Sequence, residues 1–206
     1  MNRTGTILKK HFIGSIFLGM LAILLLRTGG TTPRALALSC GQWNVISSPN
    51  GPPPGSDLTA VGIVSTNDVW AVGYNLPTGT LTTLIEHWDG TQWRAVKSPS
   101  PGSQYNVLFA VAAVSTNDVW AVGYFSNSGD LQQTLIEHWD GTSWSIVASP
   151  NVGSSNALYA VTAVSADDIW AVGFNDSHHG GSLIEHWDGT QWSVIPGPLQ
   201  SSEGQS

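Results

Sequence analysis

A single cysteine, Cys40, rules out an intrachain disulfide, so stability has to come from packing. Positive charge is nearly as scarce: there are seven Lys and Arg in 206 residues, and five of them (Arg3, Lys9, Lys10, Arg27, Arg34) lie in the first 34. Beyond that leader only Arg94 and Lys97 stand against 14 acidic residues, a net charge of −12 with histidine neutral. Nucleic-acid binding rests on many Lys/Arg–phosphate contacts, which two cations do not supply. Sustained helical periodicity is absent after residue 40. So are a Gly-x-Ser-x-Gly elbow, a phosphate-binding loop and any zinc-ligand spacing. No catalytic set emerges and no cofactor is expected; the chain reads as a non-enzyme.

One long apolar run is present, and it comes early. Phe12 to Leu26 spans 15 residues, with Arg3, Lys9 and Lys10 ahead of it and Ala35-Leu36-Ala37 behind. Basic start, short apolar stretch and small-x-small site are the layout of a secretory signal peptide, and the run is shorter than the roughly 20 residues of a spanning helix. The expectation is a signal helix within residues 1–37, cleavage after Ala37 and secretion. Membrane attachment would need an uncleaved leader or a lipidated Cys40, and Ala37-Leu38-Ser39-Cys40 lacks a leucine three positions before the cysteine.

The rest of the chain is a repeat. Ser65-Thr66-Asn67-Asp68-Val69-Trp70-Ala71-Val72-Gly73-Tyr74 returns letter for letter at Ser115 to Tyr124 and with small changes at Ser165 to Phe174. Trp70, Trp120 and Trp170 therefore recur every 50 residues. Each period holds four strand-like segments. Segment A is a small apolar run (Leu58 to Val64, Leu108 to Val114, Leu158 to Val164), of the kind covered on both faces. Segment B is Val69 to Tyr74 and its copies, reached through a Ser-Thr-Asn-Asp or Ser-Ala-Asp-Asp turn.

Segment C is Leu84-Ile85-Glu86-His87-Trp88, copied at Leu135 to Trp139 and Leu183 to Trp187. Segment D follows Asp89-Gly90, Asp140-Gly141 and Asp188-Gly189, dipeptides that predict a type I′ hairpin. D contains Trp93, Trp144 or Trp192, and a fourth copy stands alone at Trp43 to Ser47. Four short strands in ~40–50 residues is the arithmetic of a propeller blade. The predicted fold is all-β: a partial β-propeller of three four-stranded antiparallel blades (about 58–97, 108–148 and 158–196) plus one orphan outer strand at 43–47. The repeat domain covers 41–198, and residues 199–206 read as a disordered tail.

Val-Trp-Ala-Val-Gly, then Leu-Ile-Glu-His-Trp-Asp-Gly-Thr-x-Trp, then Ser-Pro, resembles the pattern of secreted bacterial β-propeller repeat proteins, loosely grouped with Kelch and Asp-box (BNR) propellers. The resemblance covers Gln42 to Pro198. It departs from both groups in detail: the Asp-x-Gly-x-Thr-Trp spacing of an Asp-box is not kept, and the Gly-Gly pair of a Kelch strand is missing. Sialidase-type enzymes on Asp-box propellers need an arginine cluster, and Arg94 is the one arginine after the leader.

Residues present in every repeat are explained most economically by blade construction. Glu86-His87, Glu137-His138 and Glu185-His186 invite a metal or acid–base reading, but neighbours on a strand point to opposite faces and cannot converge on one ion. Trp70, Trp120, Trp170, Trp88, Trp139, Trp187, Trp93, Trp144 and Trp192 fit the space between twisted blades. Asp89, Asp140 and Asp188 with Gly90, Gly141 and Gly189 read as turn residues, lacking the carboxylate density of a calcium loop.

Function is better sought where the repeats differ. Phe109 and Tyr159 replace Thr59 near the predicted channel mouth, and the B-to-C and D-to-A loops differ between repeats on that same face. His178-His179 with Asp176 in the third B-to-C loop is the one candidate group for a transition metal. Three blades leave open blade faces, which makes self-association or membership of a longer propeller the expectation. The reading is a secreted, non-catalytic binding or scaffold module for a protein or glycan partner. A carbohydrate-active hydrolase or lyase, or a truncated repeat remnant, is the alternative.

Overall fold

A computed structural model of the chain describes residues 44–49, 55–76, 79–127, 131–176 and 181–196. The chain divides into Met1–Val45 and Ile46–Ser206, and the first unit lies almost wholly outside the described residues. The signal segment 1–37, Cys40, Trp43, His178, His179 and the tail 199–206 fall outside them as well.

Twelve strands make three four-stranded sheets, each an antiparallel meander in chain order. Blade 1 is β1 (Ser56–Ser65), β2 (Asp68–Asn75), β3 (Thr82–Trp88) and β4 (Trp93–Val96). Blade 2 is β5 (Tyr105–Ser115), β6 (Asp118–Ser126), β7 (Gln132–Trp139) and β8 (Trp144–Ile146). Blade 3 is β9 (Asn156–Ser165), β10 (Asp168–Asn175), β11 (Gly181–Trp187) and β12 (Trp192–Val194). The A strands β1, β5 and β9 pack side by side. The protein is a partial β-propeller, with the A strands innermost and the short D strands at the rim.

One feature differs from the sequence reading. Residues 44–49 form no regular strand, although Ser48 is placed as its counterparts are: its hydroxyl donates to Glu86 (2.5 Å), as Ser149 does to Glu185 (2.7 Å). Among the described residues no C strand lies beside it, so the fourth D segment has no ladder to join there. The C-to-D connection is a tight hairpin turn, closed by the Asp89 N–H donating to the Gln92 carbonyl (3.3 Å) and by the same bond at Asp140 and Asp188. The Asp89 carboxylate accepts from the backbone N–H of both Thr91 (2.9 Å) and Gln92 (3.0 Å), and the same occurs at Asp140 and Asp188. A side-chain oxygen thus takes the place of the backbone acceptor, and Gly90, Gly141 and Gly189 carry the positive φ this needs.

The core lies between blades, because alternate residues of each sheet face opposite neighbours. Trp70, Val72 and Ile85 leave blade 1 on its leading face and meet Leu108, Val111, Val119, Leu135 and Trp144 on the trailing face of blade 2. Trp120, Val122 and Ile136 repeat this against Leu158, Ile169, Leu183 and Trp192 of blade 3. The tryptophan pairs are edge-on, with centroids 5.4 Å apart for Trp70–Trp144 and 5.7 Å for Trp120–Trp192. Such aromatic pairs add directional attraction to a large buried area.

Candidate functional site

The Glu-His pairs separate onto opposite faces, as strand geometry requires. His87, His138 and His186 turn to the leading face. There each bonds an aspartate of the same blade (Asp68, Asp118, Asp168; 2.8–2.9 Å) and lies over its tryptophan with ring centroids 4.1–4.2 Å apart. Glu86, Glu137 and Glu185 turn to the trailing face, fully buried among apolar side chains. Burial pushes Glu137 up to about 8 and Glu185 up to about 7, opposed by the hydroxyls of Ser98 and Ser149. Ser98 itself donates to Thr83 (2.7 Å), and both Glu137 oxygens lack a hydrogen-bond partner among the described residues.

Asp176 is engaged in bracing a loop: its carboxylate accepts from the N–H groups of Ser154 and Ser155 (both 2.8 Å) and from the Ser154 hydroxyl (2.7 Å). Its proposed metal partners His178 and His179 lie outside the described residues. Among the described residues no group of three His, Cys, Asp or Glu could hold a metal ion.

A different constellation forms at the loop end of the blades. Each A strand carries a β-bulge after its first leucine, at Thr59, Phe109 and Tyr159. A bulge adds one residue to one strand and re-aims its side chain. Glycine opposite makes this possible: a Cβ on Gly73, Gly123 or Gly173 would overlap the carbonyl of Asp57, Val107 or Ala157. Thr59 uses its position to reach the next blade, its hydroxyl 2.8 Å from the Leu108 carbonyl.

In the other two blades the bulge carries an aromatic ring. Phe109 packs against Tyr159 (5.2 Å between centroids) and Tyr124 (5.8 Å). Burial raises the Tyr124 pKa, with Tyr105 and Tyr159 adding to it; Tyr74 is raised mainly by its hydrogen bond to Asp57, with Tyr124 contributing least. Thus all four tyrosines of the chain gather here. Tyr159 is half-exposed, and Tyr74 donates to the Asp57 carboxylate (2.6 Å).

The loops around this patch are tied down. Asn106, buried, donates to the carbonyls of Leu81 (2.9 Å) and Gly102 (2.8 Å) and accepts from the Gly102 N–H (2.6 Å). Asn156 accepts from the Val152 N–H (2.9 Å) at the matching place in blade 3. The B-to-C loop of blade 1 is joined to the next D-to-A loop by the Leu81 N–H and the Gln104 carbonyl (3.1 Å). A braced aromatic surface loses little side-chain freedom when it binds.

The sequence reading singled out Phe109 and Tyr159 but missed Tyr74, Tyr105, Tyr124 and the bulge. The signal was there: Leu-Thr-Ala, Leu-Phe-Ala and Leu-Tyr-Ala differ at one position inside an otherwise similar strand.

The architecture has counterparts among solved structures. The chain is similar to a structure described as YCF48 bound to D1 peptide, at 18% identity and a TM-score of 0.50, over 77% of this chain and 44% of that one. It thus spans less than half the length of that neighbour. A fucose lectin from Kordia zhangzhouensis in complex with methyl-fucoside is matched at 14% identity and a TM-score of 0.41, over 69% of this chain and 99% of the lectin. No protein-family model and no curated protein matches the sequence. At these identities the likeness concerns the fold.

Proposed function

We propose that the chain is an exported, non-catalytic binding module. The loop face holds a segment of a protein or a glycan against the Phe109–Tyr124–Tyr159 surface, and the module works in a self-associated form. The observation that carries this is the pair of bulges that turn unlike side chains outward from otherwise equivalent strands. Aromatic faces bind either sugar C–H groups or apolar peptide side chains, and the tyrosine hydroxyls supply polar contacts. The acidic balance of the chain favours neutral or basic partners over polyanions. The peptide in the YCF48 structure supports this reading as an analogy of scaffold.

Binding of the purified protein to peptide and glycan arrays tests it. A hit should weaken at least tenfold in Phe109→Ala and in Tyr159→Ala, each still folded by circular dichroism. No binding to either array, or binding indifferent to both substitutions, overturns it.

A further inference from the structure

The two end faces of the blade row are the ones that no neighbouring blade covers among the described residues. Val72 and Val122 on leading faces are 0% exposed because the next blade covers them, whereas Val172 in blade 3 is 44% exposed. On trailing faces Val111 is 8% exposed, whereas Val61 in blade 1 is 60% exposed and lies beside a cleft of about 380 Å³ formed with Leu58, Ala71 and Trp93. The matching surface of blade 2, around Val111, Ala121 and Trp144, is filled by Trp70 and Val72 of blade 1. Among the described residues no blade follows Trp170 on the leading face of blade 3, and none precedes Trp93 on the trailing face of blade 1.

We propose that a second copy of this chain covers both faces. The leading face of blade 3 docks on the trailing face of the partner's blade 1, and two such seams close a six-blade ring. The continuity is chemical as well as geometric. At both internal junctions a tryptophan meets the next D-strand tryptophan edge-on, and Trp170 and Trp93 are the halves left for a third such pair. Glu185 takes a hydroxyl from Ser149 in the preceding D segment, and the corresponding hydroxyl is already in place at the seam, because Ser48 of the same chain reaches Glu86. The sequence matches this, with Gly197 at the end of the third D segment where Ser98 and Ser149 stand in the first two. Closed propellers hold roughly four to eight blades, and two copies of the three described blades make six. The contact is head to tail, so closure limits it to a dimer and prevents a fibre.

This deepens the self-association in the reading above and is separable from it: ligand binding by the loop face is scored on arrays, ring closure by mass. The full chain, expressed with its leader, is examined by light scattering after size exclusion. Wild type should run at twice the chain mass at tens of micromolar. Val61→Asp and Val172→Asp, checked for folding by circular dichroism, should each weaken the dimer at least tenfold. An equimolar mixture of the two variants should recover dimer, because one seam then joins two intact faces. A wild-type monomer, a trimer or a polymer overturns the ring. A dimer that survives one of the two substitutions overturns the head-to-tail contact, as that result marks like faces meeting.

Discussion

Glu137 and Glu185 sit where an aliphatic residue would pack, and holding a proton is what keeps them there at least cost. An ionised carboxylate without a cationic partner is costly in such a site. With folded pKa values near 8 for Glu137 and 7 for Glu185, raised by burial above the ordinary 4.5, stability is fully present below about pH 4.5. It is lost as pH rises through 7 to 8. The turn aspartates work in the opposite sense. The Thr190 hydroxyl and the Gln191 N–H hold Asp188 down to about 2, so its contribution is present above its ordinary value and lost as pH falls toward 2. Thermal stability should therefore peak near pH 4–5, which melting curves from pH 2.5 to 8.5 check. Glu137→Gln should remove much of the alkaline loss, on the order of 2–4 kcal/mol at pH 8, and change little at pH 4.5; a variant less stable than wild type at pH 8 contradicts this.

At the scale of the strand, the bulge decides what the A segment displays. Gly73→Ala would place a methyl group on the Asp57 carbonyl. The innermost strand would have to shift, at a cost of about 3 kcal/mol or more by urea denaturation. The A strands also run longer than the apolar runs that announce them: β5 begins at Tyr105, three residues before Leu108. Polar residues there pair through their backbone, and backbone pairing leaves no period to read. Asn106 is the clearest example. In the sequence it belongs to a polar loop; in the fold it is buried in β5 and staples two loops.

Across the whole molecule, equal sequence copies have unequal surroundings. Trp120 is buried between blades, whereas Trp170, its equivalent, is only partly covered. Trp120→Ala should cost about 3–5 kcal/mol at any protein concentration. Trp170→Ala should cost much less in dilute monomer, and its penalty should grow with concentration as the seam forms. Chemical denaturation at two protein concentrations separates the two; equal, concentration-independent losses would speak against the seam.

The 50-residue recurrence, the Asp-Gly corners and the short strand-like runs between turn residues were enough to determine three four-stranded blades. These are local properties, namely run length, turn chemistry and the spacing of tryptophans. The adjacency of Glu and His likewise shows that they cannot share a site. What the strands do to one another had to come from the tertiary structure. A bulge is an offset between two strands, invisible in either alone, and it turned Phe109 and Tyr159 into one surface with tyrosines from other strands. The protonation of Glu137 depends on a neighbouring blade closing over it. Three near-identical repeats became one blade covered on both faces and two with one open face each, because burial belongs to the neighbour as much as to the residue.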